Sequence, residues 1–361
     1  MSLNSSDSTA PTFSTSTFSK LERIGQGTYG SVYRAIHKST DTLVALKRIK
    51  LPEDKEGLPK SAVRELRILR KLQSHPNIVS YHGLATSFPD KNRNRMKGGL
   101  YMVLEYTPHD LSGFLEYRNR SIEPAEAKNL IHQLFMAVDY CHMRGIAHRD
   151  LKNQNCLISF DGRLILCDFG LARETRTLKN GINTSRVITS WYRPPELLLG
   201  ATEYGAEVDL WSAGAMAGEL IVGRPLFAAD KERQVLELIV DVVGVWSGWE
   251  GLANWKEWVA NSGALGGAVL APAIGLVTRP REKLKNVTLR DLTKNASELV
   301  RAMLDLDPKK RLSCAAALHH PFFTEEAPSA CKDSELLLPP DSCLTMRMKE
   351  IAKGKNSQRL D

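Results

Sequence analysis

Apolar residues follow two different rhythms along this chain, and the change of rhythm divides it. In the first hundred residues they tend to alternate. "LERIGQGTYGSVYRAI" (21–36) reads as two extended arms around a glycine turn, and "LVALKRIK" (43–50) alternates as a half-buried strand does. "LYMVLEY" (100–106) is a short apolar run of the kind a buried strand shows. One stretch breaks the pattern: Glu65, Leu66, Ile68, Leu69 and Leu72 recur at helical spacing, which predicts a helix over about 60–73. From about 123 the helical rhythm takes over. "EPAEAKNLIHQLFMAVDYCHMRG" carries Pro124 near a helix start and Gly145 just past its end. A small β-rich lobe with one main helix therefore precedes a larger, mainly helical lobe, with the join near Glu105–Asp110.

Both ends fall outside these rhythms. Residues 1–17 are crowded with Ser and Thr and lack an apolar core, so they read as a disordered leader without an export signal. Residues 324–361 read as a tail lying along the body. The run "GALGGAVLAPAIGLV" (263–277) is too short to span a bilayer and contains Pro272, so no membrane association is expected. Composition changes little: 361 residues, 42% hydrophobic and 25% charged, are ordinary for a soluble globular protein. The net charge of +8 favours acidic partners or phosphate-bearing ligands, although a generally basic surface accounts for it equally well. The six cysteines contain no C-x-x-C pair, which leaves zinc ribbons and thioredoxin motifs unsupported and points to buried free thiols.

Candidate chemistry begins at Gly25-Gln26-Gly27-Thr28-Tyr29-Gly30, a G-x-G-x-x-G pattern. A dinucleotide fold would need a helix directly after the glycines, whereas "SVYRA" continues as a strand. A glycine hairpin instead lets backbone N–H groups approach phosphates closely. Lys47 then sits inside a strand, where it needs a partner if it points inward. "HRDLKNQN" (148–155) packs an acid, a lysine and an amide together, and "CDFGLAR" (167–173) runs from a strand end into a loop. Each alone could be a turn.

The order glycine loop, strand lysine, H-R-D-L-K-x-x-N, D-F-G and "WYRPPE" (191–196) resembles a eukaryotic protein kinase over residues 18–323. That resemblance implies an α+β bilobal kinase fold, with an N-lobe of about 18–106 and a C-lobe of about 107–323. It implies ATP and Mg²⁺ as cofactors. Asp150 would accept the substrate hydroxyl proton, Lys152 would steady the transferring phosphoryl, and Asn155 and Asp168 would hold the metal. Lys47 would bind the α/β-phosphates and pair with Glu65. Ile24, Val32, Ala45 and Leu157 would sandwich the adenine under the 25–30 loop, and Cys167 would line the pocket floor. Leu104 would be the gatekeeper, Glu105, Tyr106 and Thr107 the hinge, and Asp110 the ribose contact. Arg311 would pair with Glu196.

"GLPKSAVREL" (57–66) resembles the cyclin-binding helix of the cyclin-dependent kinases, with Lys60 and Val63 as departures. The resemblance implies a cyclin docking on the 59–73 helix, which without it rests rotated with Glu65 away from Lys47. "NTSRVITSWYRPPELLLG" (183–200) resembles the activation segment of that family. It places Thr184 at the site of an activating kinase, Arg64, Arg149 and Arg173 around its phosphate, and Val187, Ile188 and Arg193 on a platform for Ser/Thr-Pro substrates. Pro195, the basic insertion at 87–99 and "GATEYGAEVDLWSAGAMAGEL" (200–220) resemble the transcriptional, PITAIRE-like branch that phosphorylates the RNA polymerase II tail. A nuclear location follows, a cytoplasmic share being left open, without direct nucleic-acid binding. Thr28 and Tyr29 match an inhibitory pair of the cell-cycle members. The alternatives are a cell-cycle member and a kinase-fold scaffold without turnover. The chain departs from the family at 245–275, where Trp246, Trp249, Trp255 and Trp258 form either packed core or a docking surface.

Overall fold

The structure is a computed structural model that describes residues 11–27, 30–51, 57–87, 99–175, 190–198, 201, 204–243 and 292–357. The N-terminal strands are β1 (Thr12–Ser14), β2 (Phe18–Gly27), β3 (Gly30–His37), β4 (Thr42–Ile49), β5 (Tyr81–Ser87) and β6 (Gly99–Glu105). Among the described residues they form one sheet in the order β1-β5-β6-β4-β3-β2. Every neighbouring pair is antiparallel except β1 with β5.

The pleat of β4 decides where the site lies. Val44 and Leu46 face a small outer cluster with Phe18, Ala35, Tyr101 and Val103. Ala45 and Ile49 face the other way, into the main core with Ile24, Met102 and Leu104. Lys47 shares the parity of Ala45 and Ile49, so its ammonium is carried to the inner face. Helix α1 (Lys60–Lys71) covers that face with Ala62, Glu65, Ile68 and Leu69 buried. Those positions make one stripe of a 3.6-residue period, and Glu65 is the only charged residue on it.

Residues 12–17 correct the reading of a disordered leader. Thr12–Ser14 adds to the sheet with Thr12 opposite Leu84 and Ser14 opposite Thr86, and Thr15–Thr17 forms a 3-10 turn. The exposed edge of β5 supplies unpaired backbone groups. Phe13 adds edge-on ring contacts with Phe18 at 5.6 Å and His37 at 5.7 Å. Gly83 allows the approach: at φ +142, a Cβ there would lie 2.2 Å from the Pro11 carbonyl oxygen.

The C-lobe begins with β7 (His109–Asp110), α2 (Leu111–Tyr117) and α3 (Pro124–Met143). Glu126 accepts the Glu123 N–H at 2.9 Å at the start of α3, and Gly145, at φ +67, lies just past its end. Short strands β8 (Ile146–Ala147), β9 (Cys156–Ile158), β10 (Leu164–Leu166) and β11 (Arg173–Glu174) frame the 148–155 loop, pairing as β10-β9-β7 and β11-β8. Helices α4 (Pro195–Leu198), α5 (Glu207–Val222), α6 (Glu232–Val243), α7 (Lys294–Met303), α8 (Cys314–Ala317) and α9 (Pro321–Thr324) follow. Residues 208–220 of α5 are buried throughout, as a helix enclosed on all sides must be. The expected Arg311–Glu196 pair forms, bidentate at 2.7 and 2.8 Å and fully enclosed.

The tail is ordered along the body. Asn129 on α3 donates to the Cys331 carbonyl and the Asp333 carboxylate, each at 2.8 Å. Helix α10 (Cys343–Ser357) then returns to the join between the lobes. Thr345 donates to Glu22 of β2 at 3.2 Å, and Ser342 donates to the Pro108 carbonyl at 2.7 Å. All six cysteines are free; Cys141, Cys156, Cys314 and Cys343 are buried. Among the described residues no helix is long and apolar enough to cross a membrane.

Candidate active site

Lys47 lies between two carboxylates, with Glu65 Oε1 at 2.7 Å and Asp168 Oδ1 at 2.8 Å. Glu65 is 3% exposed, on a stripe that otherwise buries apolar groups, so it needs the ammonium. Burial alone would lower the Lys47 pKa, but Asp168 and Glu65 outweigh it and hold the group charged. Burial pushes Asp168 up, and Lys47 more than reverses this, so its carboxyl lies below the ordinary range. For Glu65 burial wins over Lys47 and the pKa is raised. The closed Lys47–Glu65 pair corrects the expectation of a rotated helix in the lone chain. With Ile68, Leu69 and Leu72 buried in the main core, the apolar face of α1 already holds the glutamate inward.

The catalytic loop is held from beneath by Asp209, a buried acid on α5. Its carboxylate accepts the backbone N–H of His148 and of Arg149, each at 2.7 Å, and lies 3.0 Å from His142 Nε2. These bonds fix Arg149 at φ +71 and set the turn that presents Asp150. Asp150 Oδ2 receives Lys152 Nζ at 2.9 Å and Asn155 Nδ2 at 2.9 Å, so among the described residues its Oδ1 is left to accept from a substrate. Asp168 is itself left-handed, at φ +59, and Phe169 beside it is fully buried, edge-on to His148 at 4.8 Å. Among the described residues no group of three or more His, Cys, Asp or Glu could hold a metal by itself. Asn155, whose amide nitrogen is committed to Asp150, and Asp168 offer hard oxygen donors of the kind magnesium takes alongside phosphates and water.

The residues expected around an adenine come from both lobes. Ile24, Ala45 and Leu104 belong to the main core, and Val32, Leu157 and Cys167 pack against it half-buried. Ala45 pairs with Leu104 and Val32 with Lys47 across the sheet, which places Leu104, Ala45 and the Lys47 ammonium on one surface. Gly25, Gln26, Gly27 and Gly30 form the β2–β3 arms, with Gly27 opposite Gly30. The Glu105 carboxylate accepts Ser80 Oγ and Arg163 Nη2, each at 3.0 Å, which ties the hinge to the β9–β10 turn. Tyr106 and Thr107 are buried beside it. Asp110, the expected ribose contact, is 2% exposed and already engaged: Arg347 of α10 donates to it at 2.6 and 3.2 Å, and it accepts the Gly113 N–H at 2.7 Å.

Arg64, Arg149 and Arg173 are brought together. Burial lowers the Arg173 pKa, and the charges of Arg64 and Arg149 lower it further. Arg193 pairs with Glu232 at 3.1 Å. Thr28, Tyr29, Thr184, Val187, Ile188, the body of the basic insertion and the four tryptophans of 245–275 lie outside the described residues. Sequence reasoning missed Asp209, Arg347 and Arg163. Asp209 left one signal, an acid inside the apolar run "VDLWSAGAMAGEL".

A lysine clamped by two acids, above a loop that offers an acid, a lysine and an amide, is an arrangement suited to holding phosphates and accepting a hydroxyl proton. The family model described as the protein kinase domain matches residues 18–323, and the chain belongs to that family. It is 39% identical over 329 residues to Cyclin-dependent kinase C-1 of Oryza sativa, covering 88% of this chain and 60% of the relative. It is 40% identical over 315 residues to CTD kinase subunit alpha of Schizosaccharomyces pombe, covering 86% and 49%. Cyclin-dependent kinase 12 of Drosophila melanogaster is 38% identical over 329 residues, covering 88% and 27%. The chain thus spans between about a quarter and three-fifths of the length of these relatives.

Proposed function

We propose that this chain is a cyclin-dependent serine/threonine kinase of the transcriptional branch, working in the nucleus on Ser/Thr-Pro sites such as the RNA polymerase II repeats. The observation that carries this reading is the closed set Lys47–Glu65–Asp168 beside Asp150–Lys152–Asn155. The similarity to cyclin-dependent kinases C-1 and 12 and to a CTD kinase subunit supports the branch.

In this mechanism Glu65 holds Lys47 on the α/β-phosphates of ATP. The substrate hydroxyl donates to Asp150, which takes its proton as the oxygen bonds to the γ-phosphorus and the bond to the ADP oxygen breaks. Lys152 pairs with Asp150 and offsets charge on the moving phosphoryl. Asn155 and Asp168 would hold magnesium, which supplies charge neutralisation of the phosphates when bound. Catalysis in such a site is positioning and charge stabilisation, because the transition state is loose. Proline is expected after the acceptor because the family that this chain resembles offers no partner there for a backbone N–H. A buried unpaired donor costs about 1–3 kcal/mol, and proline has none. A cyclin docks on α1, and a kinase that phosphorylates Thr184 supplies the anion for Arg64, Arg149 and Arg173.

The test compares Ser-Pro peptide phosphorylation by the chain alone, with a transcriptional cyclin, and with cyclin plus an activating kinase. The reading expects activity to rise at each step. Since the Lys47–Glu65 pair is already closed, the larger rise is expected from Thr184 phosphorylation. Full activity of the lone, unphosphorylated chain would remove both the cyclin and the threonine from the account.

A further inference from the structure

Arg149 is a guanidinium with more donors than acceptors. Of its five N–H groups, one meets the phenol oxygen of Tyr204 and one reaches the Leu171 carbonyl at a long 3.4 Å. Its Nε is buried, and no acceptor faces it among the described residues. A buried donor on a charged group needs an acceptor, and the described residues leave room for one more at Arg149. Arg64 and Arg149 lie close enough to Arg173 for their charges to act on it.

Tyr204 lies where these charges meet. It sits between α4 and α5, its ring 5.0 Å from the Arg149 guanidinium carbon and its phenol within electrostatic reach of Arg173. The phenol oxygen accepts from Arg149 Nη2. A phenol also carries one proton of its own, and accepting from Arg149 leaves that proton to be donated. Nothing in the packing of α5 calls for this hydroxyl: Tyr204 precedes the helix and is half-buried.

We propose that Tyr204 is a fourth member of this anion site, a positioning residue that orients Arg149 through its oxygen and donates its proton to an oxygen of the bound phosphate monoester. The inference rests on the reading that the three arginines receive the Thr184 phosphate. It adds a neutral donor to three charged ones. A tetrahedral phosphate offers three terminal oxygens and can meet all four partners, whereas a carboxylate offers two. A carboxylate mimic at position 184 brings one oxygen fewer and less charge to the same partners. Before the anion arrives, Tyr204 is also the group that holds Arg149 ready to receive it.

The experiment uses the full chain in four forms: wild type, Tyr204→Phe, Thr184→Ala and the double variant. Each is treated with an activating kinase, and mass spectrometry confirms that Thr184 is fully modified in the first two. A non-specific phosphatase should release phosphate from Tyr204→Phe about tenfold faster than from wild type, the scale of one hydrogen bond to a charged group. The loss in Tm caused by Tyr204→Phe should be at least about twice as large with phosphorylated Thr184 as in the Thr184→Ala background, since the two residues couple only through the anion. Equal Tm losses in both backgrounds, with unchanged phosphatase release, would make Tyr204 a packing residue and overturn the proposal. The underlying reading is judged separately, on wild type alone. If its phosphothreonine is released as fast as that of a free peptide of the same sequence, the arginines do not hold the phosphate and both fall.

Discussion

Replacing Asp209 by Asn removes a charge without changing shape, and the structure sets the cost. The carboxylate accepts two backbone N–H groups at 2.7 Å through different oxygens, with His142 Nε2 at 3.0 Å. An amide keeps one oxygen and turns its NH₂ toward a donor. At least one charge-assisted bond is lost, at about 1.5–3 kcal/mol, and one buried N–H of the catalytic loop is orphaned, at about 1–3 kcal/mol. The sum is about 2.5–6 kcal/mol, or a Tm lower by about 5–12 °C at the two degrees or so per kcal/mol of a large domain. Urea unfolding followed by tryptophan fluorescence measures the first, scanning calorimetry the second. The pH dependence checks the cause. Burial pushes the Asp209 carboxyl up, but the His142 bond and its other donors outweigh it, so the folded pKa lies below the unfolded value of about 3.9. A depressed carboxylate stabilises the fold above its unfolded pKa and loses that contribution as pH falls through the folded one. Wild type should therefore lose stability more steeply than Asp209→Asn as pH drops below about 4. A variant within about 0.5 kcal/mol of wild type would refute the reasoning, since that is the range of neutral surface changes.

Three further outcomes follow from single contacts. Arg311→Ala leaves Glu196 charged and enclosed and should cost about 3–5 kcal/mol in urea unfolding, while Arg311→Met with Glu196→Leu should recover much of it. Arg347→Ala should cost only about 1–2 kcal/mol, because the arginine is 32% exposed although Asp110 is buried; an unchanged urea midpoint would mean that α10 does not hold the join between the lobes. Glu65→Gln should raise the KM for ATP and lower kcat by about tenfold or more, as Lys47 loses the charge of one of its carboxylate partners; unchanged kinetics would detach the pair from nucleotide binding.

How legible the site was depended on how far apart its partners lie along the chain. The direction of Lys47 follows from the parity of β4, shared with Ala45 and Ile49, and Glu65 stands out as the one acid on an apolar helical stripe. The catalytic loop needed its motif, since Asp150, Lys152 and Asn155 alone are also turn residues. Arg347 and Asp110 are 237 positions apart, and no periodicity connects an arginine on a tail helix with an acid at the hinge. Tyr204 and Arg149 are likewise joined only by the fold, across 55 positions. Strand β1 has three residues, too few to show a period, and is ordered by the edge of β5 and the ring of Phe13. Helix α1 was expected to rest rotated by analogy; its own buried face, with Glu65 needing Lys47, already favours the inward position.

The central claim is that Asp150 takes the proton of a substrate hydroxyl as phosphate leaves ATP. The most direct measurement is transfer of labelled γ-phosphate to a Ser-Pro repeat peptide by the Thr184-phosphorylated chain with a transcriptional cyclin, beside the same complex carrying Asp150→Asn, with ATP binding measured in both. The account predicts transfer by wild type, a loss of about a hundredfold or more in the variant, as expected for removing a general base, and near-equal ATP affinity. Equal transfer by the two complexes, or none by wild type despite bound ATP, would contradict it.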